Sequence, residues 1–156
     1  MSKSLRRVIS DAESRGVPIS PVQLDASTRT AQDAADAVGA TVDQIVKSVI
    51  LRALGSDEHV LFLTAGSNFV DDAKAAAVAG VPLEKADGNS IRAVTGFAIG
   101  GVSPFGHLTP IRAYFDPHIL SFDTVWAAAG TPNHVFSIAP KTLLDATGAT
   151  VADFTR

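Results

Sequence analysis

The chain predicts an α/β fold, one domain over residues 1–156 with a mixed β-sheet and helices around it. Three observations carry that reading. A length of 156 residues is that of one domain. Helical and strand-like patterns interleave from end to end. Several apolar strands are joined by turns too short for a crossover, so antiparallel pairs must stand beside any parallel ones. A chain of this size buries about two thirds of its unfolded surface, enough for a core without staples. Hydrophobic residues make up 46% but aromatic residues only 6%, and many of the remainder are alanine, which suits close helix packing.

The elements follow in order. Leu5, Val8, Ile9 and Ala12 form one apolar face of an N-terminal helix, and Lys3, Arg6 and Arg7 lie on its polar side. Gly16, Pro18 and Pro21 mark a turn and an extended stretch. Ser27 or Thr28 caps a helix through Ala31, Ala34, Ala35 and Val38, which Gly39 ends. Val46 to Leu51 reads as a strand, and Gly55-Ser56-Asp57 turns it into a second, Val60 to Thr64, a hairpin pattern. Asn68 caps the next helix, with Asp71 and Asp72 in its first turn and Gly80 at its end. Val81-Pro82 stops it. A short helix spans Ser90 to Thr95. Strands are expected at Ile111–Phe115, Thr124–Ala127 and Val135–Ile138. Pro140 opens a last helix that ends near Gly148.

Composition narrows function. With no cysteine, neither a disulfide framework nor a thiolate metal site is available. The first residues lack the apolar core of a secretion signal, and no apolar run approaches the ~20 residues that span a bilayer, so no membrane partner and a cytoplasmic location are expected. A net charge of −3 argues against binding a DNA duplex along a basic face, but leaves room for one RNA terminus held by a small patch. The Lys3, Arg6 and Arg7 cluster reads as a solvated helix face.

The densest signal is Gly96 to Gly106, with Gly96, Gly100, Gly101 and Gly106 inside eleven residues and Pro104-Phe105 before the last. Glycine costs backbone entropy on folding, so such a cluster needs a geometric purpose: positive φ, or close approach of another chain or a ligand. Lys47 is the most unusual single side chain, a cation between Ile45-Val46 and Val49-Ile50-Leu51. It can hold a phosphate, stabilise an oxyanion, or simply reach back to water from a strand end. His107, which ends the glycine loop, and His134, in the loop from Gly130, are ligand-contact or proton-transfer candidates. His59 and His118 read as turn residues, His59 as exposed surface. A serine-nucleophile elbow is excluded at Ser103, because Pro104 removes the next backbone N–H from an oxyanion hole. No histidine pair has metal-ligand spacing, and no glycine precedes a Lys-Ser in the frame of a phosphate loop.

Gly-Gly-Val-Ser-Pro-Phe-Gly at 100–106, Lys47-Ser48 at a strand start and Ala129-Gly130 occur in that order. Together they resemble the YbaK and prolyl-tRNA-synthetase-associated domain family, the trans-editing aminoacyl-tRNA deacylases, over about Asp25 to Val151. The resemblance implies a barrel-like mixed sheet wrapped by helices. It implies hydrolysis of the ester between a wrong amino acid and the 3′ end of a tRNA, often that for proline, with the substrate's own ribose hydroxyl assisting and no cofactor or metal. The aminoacyl-tRNA is the implied partner, and a synthetase a possible second one. The family's essential lysine corresponds to Lys47. Ser48, the loop Gly100, Gly101, Val102, Ser103, Pro104, Phe105, Gly106 and His107, and the second loop Ala129, Gly130, Thr131, Pro132 and His134 are the implied substrate contacts. The chain departs from two branches of the family. Proline follows Gly130 by two residues rather than four, and Ala128 stands where the cysteine-specific branch has serine. Both departures bear on which amino acid is accepted.

Overall fold

The computed structural model describes residues 2–25 and 28–156. Helix α1 (Lys3–Ser14) is capped by Ser2, whose side chain accepts from the Leu5 amide. Its buried residues Leu5, Val8 and Ala12 recur at helical spacing and enter the main core. After a two-residue strand β1 (Val22–Gln23) comes α2 (Ala31–Val38). Ser27 lies outside the described residues, and the cap is neither it nor Thr28 but Thr30. Its hydroxyl takes the Asp33 amide while the Asp33 carboxylate takes the Thr30 amide, a reciprocal box. A 3-10 turn, Val42–Gln44, leads into β2 (Ile45–Ala53), which makes a hairpin with β3 (His59–Ala65).

Helix α3 (Asp72–Ala79) starts later than its Asn68 signal. Val70 bridges Thr155, and the Asp71 amide donates to the Phe154 carbonyl, so the backbone stays extended until Asp71 caps the helix. Strand β4 (Leu83–Lys85) and helix α4 (Gly88–Thr95) precede the glycine loop. Then come β5 (Arg112–Phe115), a 3-10 segment Pro117–Ser121, β6 (Val125–Ala128), β7 (His134–Ile138), α5 (Pro140–Thr147) and β8 (Thr150–Val151).

All eight strands form one open sheet in the order β1-β7-β6-β2-β3-β5-β8, with β4 also on β2. It is mixed: β2–β6, β3–β5 and β5–β8 are parallel, the others antiparallel. The sheet does not close into the barrel-like form that the resemblance implies. β3 is buried along its length. Leu61, Leu63 and Ala65 point into the main core beneath α1 and the glycine loop, and Val60 and Phe62 into a second cluster with Ala75 and Phe154. That burial corrects the reading of His59 as exposed. It is the first residue of β3, 5% exposed, with Nδ1 2.7 Å from the Asp57 carbonyl oxygen. His118 does sit in the 3-10 segment after Asp116.

One detail of β2 positions everything below. Its edge toward β3 is paired from Val46 to Arg52. Its other edge pairs with β6 only at Ile45 and Val46, and with β4 only at Leu51 to Ala53. Among the described residues no strand pairs that edge at residues 47–50.

Candidate active site

The gap in pairing along β2 opens onto a cavity of about 280 Å³. Its floor is apolar: Ile45, Val46, Ile50, Ile91, Val102 and Val135. Lys47 and Ser48 both reach it although consecutive strand residues point to opposite faces. A cavity that lies off a strand edge can meet both faces, and a cavity on one sheet face could not. Gly100 and Pro132 stand together at the rim; a Cβ built on Gly100 would lie 3.9 Å from the Pro132 Cβ.

Lys47 is half-buried and tightly placed. Its Nζ donates to the Asn68 carbonyl oxygen at 2.5 Å and lies 4.4 Å from the centre of the Phe69 ring. Burial pushes its pKa below the ordinary lysine value, and the carboxylates of Asp116 and Asp43 oppose that shift. Asp116 is itself buried. It accepts from the amides of Ala65 at 3.1 Å and His118 at 3.0 Å and from Asn68 Nδ2 at 2.8 Å. Asp43 accepts from the Ser67 amide and hydroxyl and lies 3.2 Å from His118 Nε2. The Ser67 hydroxyl holds the Asp43 carboxyl below the usual carboxylate range. The two acids are therefore fixed by neighbours and act on Lys47 only through space. The ammonium, held at one carbonyl, keeps donor capacity for a ligand. The Ser48 hydroxyl is buried with no hydrogen-bond partner among the described residues, a polar atom left beside the cavity.

The other residues named from the sequence divide into two groups. Lys47, Ser48, Gly100, Val102 and Pro132 come together on the cavity wall. Gly101, Ser103, Pro104, Phe105, Gly106, His107, Ala129, Gly130, Thr131 and His134 do not line it. Most of them are buried elsewhere, and His107, Thr131 and His134 are half-buried. Ser103 and Phe105 are fully buried, the Ser103 hydroxyl accepting from the Phe105 amide at 3.3 Å and the Phe105 ring packing against Phe136. Pro104 is buried with them. Gly106 lies on α1: its carbonyl accepts from Arg7 Nε at 2.6 Å and its amide donates to Asp11 Oδ2 at 2.8 Å. Ala129 is buried in the core, and a Cβ on Gly130 would lie 2.8 Å from the Ser4 carbonyl oxygen. Gly130 thus faces α1, away from the cavity. His134 Nδ1 is engaged with the Thr131 hydroxyl at 2.6 Å.

The dense glycines therefore serve chain packing more than ligand contact. A Cβ on Gly101 would come within 2.9 Å of the Thr131 backbone, so the first loop can lie on the second only without a side chain there. Arg7, read from sequence as part of a solvated face, is the clamp. Beyond Gly106 it donates to the Thr95 carbonyl at 3.3 Å and its guanidinium stacks 4.8 Å from the Phe97 ring. Sequence reasoning did not anticipate the side of the cavity built from Leu24, from Thr28, Arg29 and Thr30 ahead of α2, and from Ala31 and Ala34 in it. A capped helix start beside an apolar face was the available signal.

His107 gives a stability prediction. Its Nε2 lies 2.6 Å from the Ser103 carbonyl oxygen, and burial lowers its pKa from the ordinary value near 6.5, only partly offset by that bond. A histidine whose folded pKa is depressed binds its proton first in the unfolded chain. Full stability is therefore present above about 6.5 and is lost as pH falls through the window below it. H107Q, which keeps a donor for the carbonyl, is expected to melt with a smaller loss between pH 7.5 and 5.5 than the wild type. Equal losses in parallel thermal melts would contradict this role for His107.

Three known proteins are similar to this chain. A solved structure described as a candidate trans-editing enzyme for prolyl tRNA synthetase superposes with a TM-score of 0.94, is 48% identical, and is matched over 100% of this chain and 99% of that one. The structure of the hypothetical protein APE2540 superposes with a TM-score of 0.88 at 27% identity, over 96% and 99% of the two chains. The uncharacterized protein YwhH of Bacillus subtilis (strain 168) is 31% identical over 121 residues, 78% of this chain and 76% of that one. Residues 25–146, which include β2, all of the cavity lining except Leu24 and both loops, match the aminoacyl-tRNA editing domain, and the chain belongs to that family.

Proposed function

We propose that the protein is an aminoacyl-tRNA deacylase that removes a small, wrong amino acid from the 3′ end of a tRNA, that for proline being the first candidate. The observation that carries the reading is the Lys47 ammonium at the wall of an apolar cavity, in a chain of the editing family. Hydrolysis of an ester places negative charge on the former carbonyl oxygen, and a cation fixed in a partly desolvated site stabilises that charge without reorganising. Ser103 is no nucleophile, being fully buried within the loop and off the cavity wall. Water is left as the attacking group, assisted by the ribose hydroxyl of the substrate, and the enzyme's part is positioning and charge.

Size and lining support the choice of a small amino acid. A cavity of about 280 Å³ lies at the lower end of ordinary ligand pockets. Ala31, Ala34, Ile45, Val135 and Pro132 offer a side chain apolar contact only, and the polar lining is Thr28, Arg29, Thr30, Lys47 and Ser48. Of the second loop only Pro132 reaches the cavity, and it narrows the mouth opposite Gly100. The test is release of amino acid from tRNAs charged with alanine, serine, threonine, cysteine and proline, with enzyme far below substrate. Many turnovers on alanyl- or seryl-tRNA are expected. Protection of the ester at one tRNA per protein, without turnover, would show a binding module instead.

A further inference from the structure

We propose that Phe69 is a stacking platform for a base of the single-stranded RNA terminus, placed next to the cavity that takes the ester. Seven large apolar side chains are exposed among the described residues, and Phe69, 61% exposed, is the aromatic one. Its ring is not a loose surface feature. Lys47 Nζ lies 4.4 Å from its centre and the Arg156 guanidinium carbon 5.9 Å. The backbone beneath it is pinned at successive residues. The Asn68 amide donates to the Ala65 carbonyl at 2.9 Å, and Asn68 Nδ2 to Asp116 at 2.8 Å. The Phe69 carbonyl accepts from the Arg156 amide at 3.0 Å, Val70 bridges Thr155, and the Asp71 amide donates to Phe154 at 2.8 Å.

An exposed aromatic ring on a fixed backbone, flanked by two cations, is what single-stranded nucleic acid uses. The base stacks on the ring, and the charges meet its phosphates. Folding gains little from leaving this ring in water, and a ring already ordered loses little freedom when a base covers it. Lys47 connects the two sites, since it touches the ring and also lines the cavity. A base on Phe69 therefore brings the adjoining sugar and its ester to the cavity mouth. The inference rests on the proposed reading that the ligand is a tRNA 3′ end. It adds the residue that positions that end.

The experiment uses an RNA hairpin with a single-stranded CCA 3′ overhang and the same hairpin with those three nucleosides abasic. Wild type is expected to prefer the base-bearing end by about 5- to 150-fold, the effect of one base–aromatic stack. F69L should lose that preference and F69W should keep it, with melting temperatures near that of the wild type because the ring is exposed. If Phe69 merely covers Lys47, F69L would keep the base preference, and this overturns the proposal. Absence of a preference in the wild type overturns it equally. Failure of the deacylase reading is distinguishable. A Phe69-dependent base preference without release of amino acid from any charged tRNA sinks the deacylase and leaves the platform. Release of amino acid with KM and base preference unchanged in F69L sinks the platform alone.

Discussion

Lys47→Ala is expected to lower deacylation of a mischarged tRNA by about 100-fold or more, the usual effect of removing one group that stabilises transition-state charge. The fall should appear in kcat as well as in kcat/KM, because the charge to be stabilised develops only as the ester is attacked. Folding should survive. The side chain is half-buried and holds one bond to the Asn68 carbonyl and one face of Phe69, and such a bond contributes about 1 kcal/mol. At about 2–4 °C per kcal/mol for a chain of this length, melting should shift by only a few degrees. Single-turnover rates on the best substrate of the charged-tRNA panel decide the matter. A K47A rate within a few fold of wild type would remove Lys47 from the chemistry and leave the cavity as a binding site.

The largest structural effect is expected at Gly66→Ala, outside every motif read from the sequence. Gly66 follows β3 directly and is buried. A Cβ there would overlap the carbonyl oxygen of Val42 and lie 2.9 Å from its carbonyl carbon. Both atoms are backbone, so no side-chain rotation relieves the clash, and the 3-10 turn Val42–Gln44 must move. We expect a loss of about 3 kcal/mol, at the upper end of ordinary overpacking, and a melting temperature lower by about 6–12 °C. The damage should also reach the site, because that turn carries Asp43, which holds Ser67 and acts on Lys47. A G66A protein melting within about 2 °C of wild type would mean that the turn yields freely, and the contact would not be a constraint.

Much of the fold was open to reading before any coordinates. The hairpin of β2 and β3, the glycine stops of α2, α3 and α5 and the Pro140 start are local events, set by periodicity of 2 or 3.6 and by residues that favour one backbone conformation. The strands β1, β4 and β8 leave no signal in the sequence. With two or three residues each, they have no period to detect and exist because a partner strand offers them hydrogen bonds. His59 escaped for a related reason. Its neighbours Asp57 and Glu58 are polar, yet the ladder with Arg52 begins at His59 and draws it inward.

Lys47 stood out in the sequence because a cation between apolar strand residues is costly, and the glycine loops because so many glycines need a reason. Membership of the editing family was legible on those same residues, and the mixed sheet on strands joined by short turns. What the glycines do was decided in three dimensions. Gly101 and Gly130 have no side chain because Thr131 and Ser4 pass too close, and neither distance is encoded near them in the chain. The cavity likewise exists because β6 and β4 leave the middle of one edge of β2 unpaired, and because α2, Ile91 and Pro132, remote in sequence, close around that gap. Residue type and spacing specify elements and flag a misplaced charge. Which of those elements meet, and therefore where a cavity is left, depends on long-range packing that local sequence does not record.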